Sequence, residues 1–130
     1  MEIKYEISTK DKLEISYRAY ILSSLLSLGF SSTNKGTFYL RDLILIAIQS
    51  NFNDSDIRLK DLRNILAKQK GISSKTIKSY VDYTFKFRDT QKAENNFENI
   101  FGFEYDSYFM TAKSIISLMV GLIYNKELVH

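Results

Sequence analysis

The 130-residue sequence predicts an all-α domain of about six helices in a compact bundle that contains a helix-turn-helix. Three observations carry that expectation. Apolar residues recur at spacings of three and four along most of the chain, which stacks them on one face of successive helices. Five glycines and no proline punctuate those segments, so the breaks fall at glycines and polar turns. Strand-like alternation is confined to the first eight residues.

At this length a single domain with one core is expected. Residues 1–10 read as an N-terminal arm, in which Met1, Ile3, Tyr5 and Ile7 alternate with polar neighbours, and residues 11–130 as one helical domain. Helix A is predicted from about Asp11 to Leu28, where Leu13, Tyr17, Tyr20, Ile21, Leu25 and Leu28 share a face and Gly29 ends the pattern. Helix B, from Thr37 to Ser50, is apolar over most of its circumference (Phe38, Leu40, Leu43, Ile44, Leu45, Ile46, Ile48), as a buried hub would be. After the polar turn "NFNDSD", Leu59, Leu62, Ile65 and Leu66 mark a short helix C ending near Lys68. Ser73 or Ser74 can cap helix D, which is expected to run to about Arg88. A short helix E near Ala93 to Phe101 and a last one from about Thr111 to Tyr124 complete the bundle.

Composition removes several classes of function. There is no cysteine, and the one histidine is the last residue, so neither a disulfide framework nor an ordinary metal centre is available and no cofactor is expected. The apolar runs around Leu40 to Ile48 and Ile115 to Tyr124 fall short of a membrane span, and "MEIKYEIS" lacks the apolar core of a signal peptide. A cytoplasmic protein is the expectation. No nucleophile stands beside a base and no paired carboxylates are evident, so an enzyme is not expected. Nine tyrosines and nine phenylalanines fall mostly at core spacing.

The net charge of +3 is unevenly spread. From Arg58 to Lys92 ten lysines or arginines face three acids, a local +7, whereas the rest of the chain holds eight bases and twelve acids, a −4. Such a block is the footprint of a polyanion binder, and it also suits a solvated lysine-rich helix pair.

The stretch "KQKGISSKTIKSYV" lies inside this block and has the grammar of a helix-turn-helix. A small residue, Ala67, precedes by four positions a glycine, Gly71, that can bend the chain, and Ile72 plugs the corner. Ile77 with Tyr80 or Val81 turns one face of helix D inward. The opposite face displays Lys75, Thr76, Lys78, Ser79 and Asp82 as the candidate base-facing set. Lys68, Lys70, Tyr83, Lys86, Arg88 and Lys92 are the candidate phosphate contacts. Asp82 has two uses open to it, accepting from a cytosine amino group or pairing with Lys78 or Lys86 four residues away, and the intrahelical pair is favoured.

Three separated stretches carry a family resemblance: "LGFSSTNKGTFYLRDLI" with Gly29, Lys35-Gly36 and Tyr39-Leu40-Arg41, then "LAKQKGISSKTIKSYV", then "IFGFEYDSYFMTAKSIISLMV". Over roughly Tyr20 to Ile123 the chain resembles the C-terminal DNA-binding effector domains of the stage zero sporulation protein A family, the sporulation master response regulators of endospore-forming bacteria. The resemblance implies a bacterial, nucleoid-associated six-helix bundle, transcription regulation through double-stranded DNA, and homodimers on tandem sites. Lys35, which lies in the first matching stretch, has two readings open, a contact with the DNA backbone or a match that reflects only the geometry of its loop. The family carries a phosphorylatable receiver before this domain, whereas here about ten residues precede helix A, so a receiver-less effector domain is expected. The family's recognition helix has a Glu-Arg pair and a further arginine where this chain has Lys78, Ser79 and Asp82. Serine and aspartate cannot form arginine's bidentate fork to guanine, so the family's target sequence does not carry over. The alternative keeps the fold without DNA: a protein-interaction module that binds a full-length sporulation regulator or polymerase and acts by titration, with the apolar last helix as a dimer surface or simply as core.

Overall fold

The computed structural model describes residues 9–50 and 58–129. Within them the chain forms six α-helices: α1 (Thr9–Ser27), α2 (Lys35–Gln49), α3 (Leu59–Lys70), α4 (Ser74–Lys86), α5 (Thr90–Phe101) and α6 (Ala112–Val129), with one 3-10 turn at Ser107–Phe109. The all-α expectation is met. Residues 1–8 of the expected arm, the whole of the "NFNDSD" turn and His130 lie outside the described residues. Helix α1 starts at Thr9, so two residues assigned to the arm belong to the first helix.

Helix α2 is the hub. It packs against α1, α3, α4 and α6, and its Leu40, Leu43, Ile44 and Ala47 are fully or almost fully buried. The core around it is built from Ile21, Leu25 and Leu28 of α1, Leu62 and Leu66 of α3, Ile77 and Val81 of α4, Ala93 and Phe97 of α5, and Ile115, Ile116, Met119, Val120 and Ile123 of α6. Each large apolar side chain so buried contributes roughly 1.5–3 kcal/mol. The last helix is therefore core along most of its length, and Tyr124 Oη fixes its far end by donating to the Ile48 carbonyl at 2.9 Å. Of the two readings open for that helix, dimer surface or core, the burial of those five α6 residues agrees with the core.

Two departures in the second half have local causes. Helix α5 begins at Thr90, ahead of Ala93, because Asp89 caps it by accepting from the Gln91 and Lys92 amides at 3.1 and 3.3 Å. The 3-10 turn was not anticipated. Asp106 nucleates it by accepting from the Tyr108 amide at 2.9 Å, and the Phe109 ring stacks 5.9 Å from that of Phe97. Loop and helix ends are tied together where Asp89 N–H donates to the Gly29 carbonyl at 2.8 Å and Asn96 Nδ2 donates to the Ser27 carbonyl at 2.8 Å.

Helices α2 and α4 cross in close contact. A Cβ at Gly36 would lie 2.6 Å from the Tyr80 carbonyl carbon and overlap its oxygen, so only glycine admits the α4 backbone at that distance. One residue on, the buried hydroxyls of Thr37 and Thr84 share a 2.7 Å hydrogen bond across the same crossing. The close approach that positions α4 thus comes from Gly36 of the hub. Among the described residues, no helix is long and apolar enough to cross a membrane.

Candidate nucleic-acid interface

Three residues, Gly71, Ile72 and Ser73, separate α3 from α4, and each has a defined task. Gly71 adopts the left-handed conformation (φ 68°, ψ 30°), which an L side chain resists. Its amide and that of Ile72 both donate to the Ala67 carbonyl, the latter at 3.2 Å, closing the end of α3. Half-buried Ile72 packs against the core, and Ser73 caps α4 by accepting from the Thr76 amide at 3.0 Å. The turn is short and both helix ends that meet in it are capped, which sets α4 against α3 and α2.

This anchoring splits α4 into two faces. Ile77, Val81 and Thr84 point into the core. Lys75, Lys78, Ser79, Asp82, Tyr83 and Lys86 are exposed on the outside. Val81 takes the inward place that Tyr80 or Val81 was expected to fill. Tyr80 remains 40% exposed, its ring edge-on to Tyr39 at 5.8 Å. Thr76 is half-buried and its hydroxyl lies 2.8 Å from that of Ser73, so part of its hydrogen-bonding capacity is spent at the cap. Lys78 Nζ donates to Asp82 Oδ2 at 2.8 Å, the favoured intrahelical pair.

The expected phosphate cations divide into three groups. Lys68 and Lys92 are exposed, at the end of α3 and the start of α5. Lys86 is exposed and lies 5.4 Å from the Phe87 ring centroid. Lys70 is half engaged, its ammonium 3.6 Å from Asp42. Arg88 is half-buried and in part turned inward: its Nη1 donates to the Phe85 carbonyl at 2.6 Å and its Nε is buried, so part of its donor capacity serves the end of α4.

Asp42 is a feature that sequence spacing did not single out. Its nearly buried carboxylate lies 3.1 Å from Arg41, 3.5 Å from Arg18 and 3.6 Å from Lys70, joining α1, α2 and α3. Buried acids persist when cations surround them, and here three do. Beside α4 there is a second such feature. An open cleft of about 450 Å³ runs between the start of α2 and the outer face of α4, lined by Thr33, Asn34, Lys35, Ser79, Tyr80 and Tyr83. Lys35 spans its rim with the ammonium 5.9 Å from the Tyr80 ring centroid.

Among the described residues there is no group of three or more histidine, cysteine, aspartate or glutamate side chains arranged to hold a metal ion. Comparison with models of protein families, with curated proteins and with solved structures finds no match for the chain.

Proposed function

We propose that the chain is a sequence-selective regulator of transcription that binds double-stranded DNA, with α3 and α4 as a helix-turn-helix and α4 in the major groove. The observation that carries this reading is the outer face of α4: exposed from Lys75 to Lys86, cationic, and uncovered by any other described part of the chain. Helix width and major-groove width match, and residues near the N-terminus of such a helix reach base edges. In this reading Lys75, Lys78 and Ser79 face the bases, with Thr76 contributing only what its cap bond leaves free. Lys68, Lys86 and Lys92 meet phosphates, Tyr83 flanks them, and Arg88 contributes only what its bond to the Phe85 carbonyl leaves free. The kinship suggested by the sporulation effector-like stretches belongs to the same proposal, as do tandem dimers on DNA.

The test is selection of a preferred duplex from a random pool, followed by binding of the winner by parent, Lys78→Ala and Lys92→Ala proteins at two salt concentrations. Lys78→Ala should weaken the preferred site by about 1 kcal/mol or more, and Lys92→Ala should weaken all sequences alike and lower the salt slope by about 0.9. Failure to enrich any sequence, with both variants retained on DNA as well as the parent, would overturn the proposal.

A further inference from the structure

The cleft between α2 and α4 has a composition that duplex binding by α4 does not by itself require. Tyr80 and Tyr83 line it with aromatic surface, and both rings are open to solvent, 40% and 52% exposed. The polar groups are few: the hydroxyl of Ser79 on α4, and on the α2 side the amide of Asn34, the ammonium of Lys35 and the hydroxyl of Thr33, which also bonds that of Ser31 at 2.7 Å. Asn34 sits at the N-cap of α2, yet its side chain makes no capping bond to the helix, which leaves the amide available to the cleft. At about 450 Å³ the volume is in the range of small-molecule sites, which are mostly apolar with a few polar groups that fix orientation. Planar rings stack on tyrosine faces, an amide presents both a donor and an acceptor to a ring edge, and an ammonium suits a phosphate.

We propose that this cleft binds a planar aromatic anion of the nucleoside monophosphate class, its base against Tyr80 and Tyr83 and its phosphate at Lys35. Binding itself is independent of the DNA reading. A consequence that rests on that reading is competition: Ser79 and Tyr83 belong both to the cleft and to the outer face of α4, so an occupied cleft and a bound duplex exclude each other. The ligand then acts as a signal that releases the protein from DNA.

Isothermal titration of the whole chain with AMP, GMP, CMP and UMP, and with adenosine and ribose 5-phosphate as the two halves of a ligand, tests the site directly. At least one monophosphate should bind with a dissociation constant below about 1 mM, and neither half should match it. Tyr83→Ala should weaken that binding at least about fivefold, the low end of what a base–aromatic stack contributes, and Lys35→Ala about threefold. Tyr108→Ala removes an aromatic side chain that is 77% exposed but does not line the cleft, and should change nothing. Absence of heat with all four nucleotides, or equal weakening by Tyr108→Ala and Tyr83→Ala, would overturn the site while leaving the DNA reading untouched. Nucleotide binding by a protein that retains no duplex would uphold the site and remove the DNA reading. With both ligands bound, duplex that stays on while nucleotide saturates the cleft would overturn the competition.

Discussion

Replacing Gly36 with alanine puts a methyl group where the Tyr80 carbonyl of α4 now lies. The added Cβ would lie 2.6 Å from the carbonyl carbon and 3.1 Å from Thr84 Cβ, and the first of these is backbone, which cannot rotate away. Helix α4 must therefore shift outward by about an ångström, an overpacking cost of about 1–3 kcal/mol. The same shift stretches the 2.7 Å Thr37–Thr84 hydrogen bond, and a buried hydroxyl pair pulled apart loses about another 1 kcal/mol. Alanine's better helix propensity offsets at most about 1 kcal/mol, so a net loss of about 2 kcal/mol is expected. For a chain of this size that lowers Tm by about 8 °C. Thermal unfolding followed by far-ultraviolet circular dichroism measures it, with Gly121→Ala as the control. Gly121 lies inside α6 with nothing within 4 Å of an added Cβ, so that variant should gain stability by about 0.5–1 kcal/mol. A Gly36→Ala protein as stable as its parent, or one matched by Gly121→Ala, would refute the α2–α4 crossing.

Three further predictions follow from named contacts. Thr84→Val strands the buried Thr37 hydroxyl and should cost about 1–3 kcal/mol, while Thr37→Val combined with Thr84→Val should cost less than the two single changes together in urea unfolding. Asp42→Asn leaves Arg41, Arg18 and Lys70 without their shared partner; because Arg18 and Lys70 are half in water the loss should be about 2 kcal/mol, below that of a fully buried pair, read as a lower urea midpoint. Asp82→Asn releases Lys78 from its 2.8 Å pair and removes a negative charge from the outer face of α4, so DNA affinity should rise and the salt slope steepen by up to about 0.9. A weaker complex would show instead that Asp82 itself touches the duplex.

The helices were legible because their signals are local. Periodic apolar residues, the Gly71 turn and the Ser73 cap act within a few residues, and they place α3 and α4 to within two positions of where they lie. The hub role of α2 was legible too, since a helix apolar nearly all round has to be buried. What stayed hidden depends on partners far apart in the chain. Gly36 reads as loop punctuation until Tyr80, which no spacing rule pairs with it, arrives from α4. Arg88 looks like one more cation of a basic block until the Phe85 carbonyl and the fold around its Nε turn it in part inward. Asp42 and its three cations join three helices, and the α2–α4 cleft joins a loop to a helix more than forty residues later. The Lys78–Asp82 pair was legible because it spans a single helical turn.

The proposed role turns on α4 lying in the major groove, and mapping of backbone amide signals by nuclear magnetic resonance as a selected duplex is added tests it most directly. Shifts concentrated on residues 74–86, with smaller ones at the start of α2 and at Lys92, are the expected result. Shifts centred on α6 or on the 3-10 turn at Ser107–Phe109, with α4 signals unmoved, would contradict it.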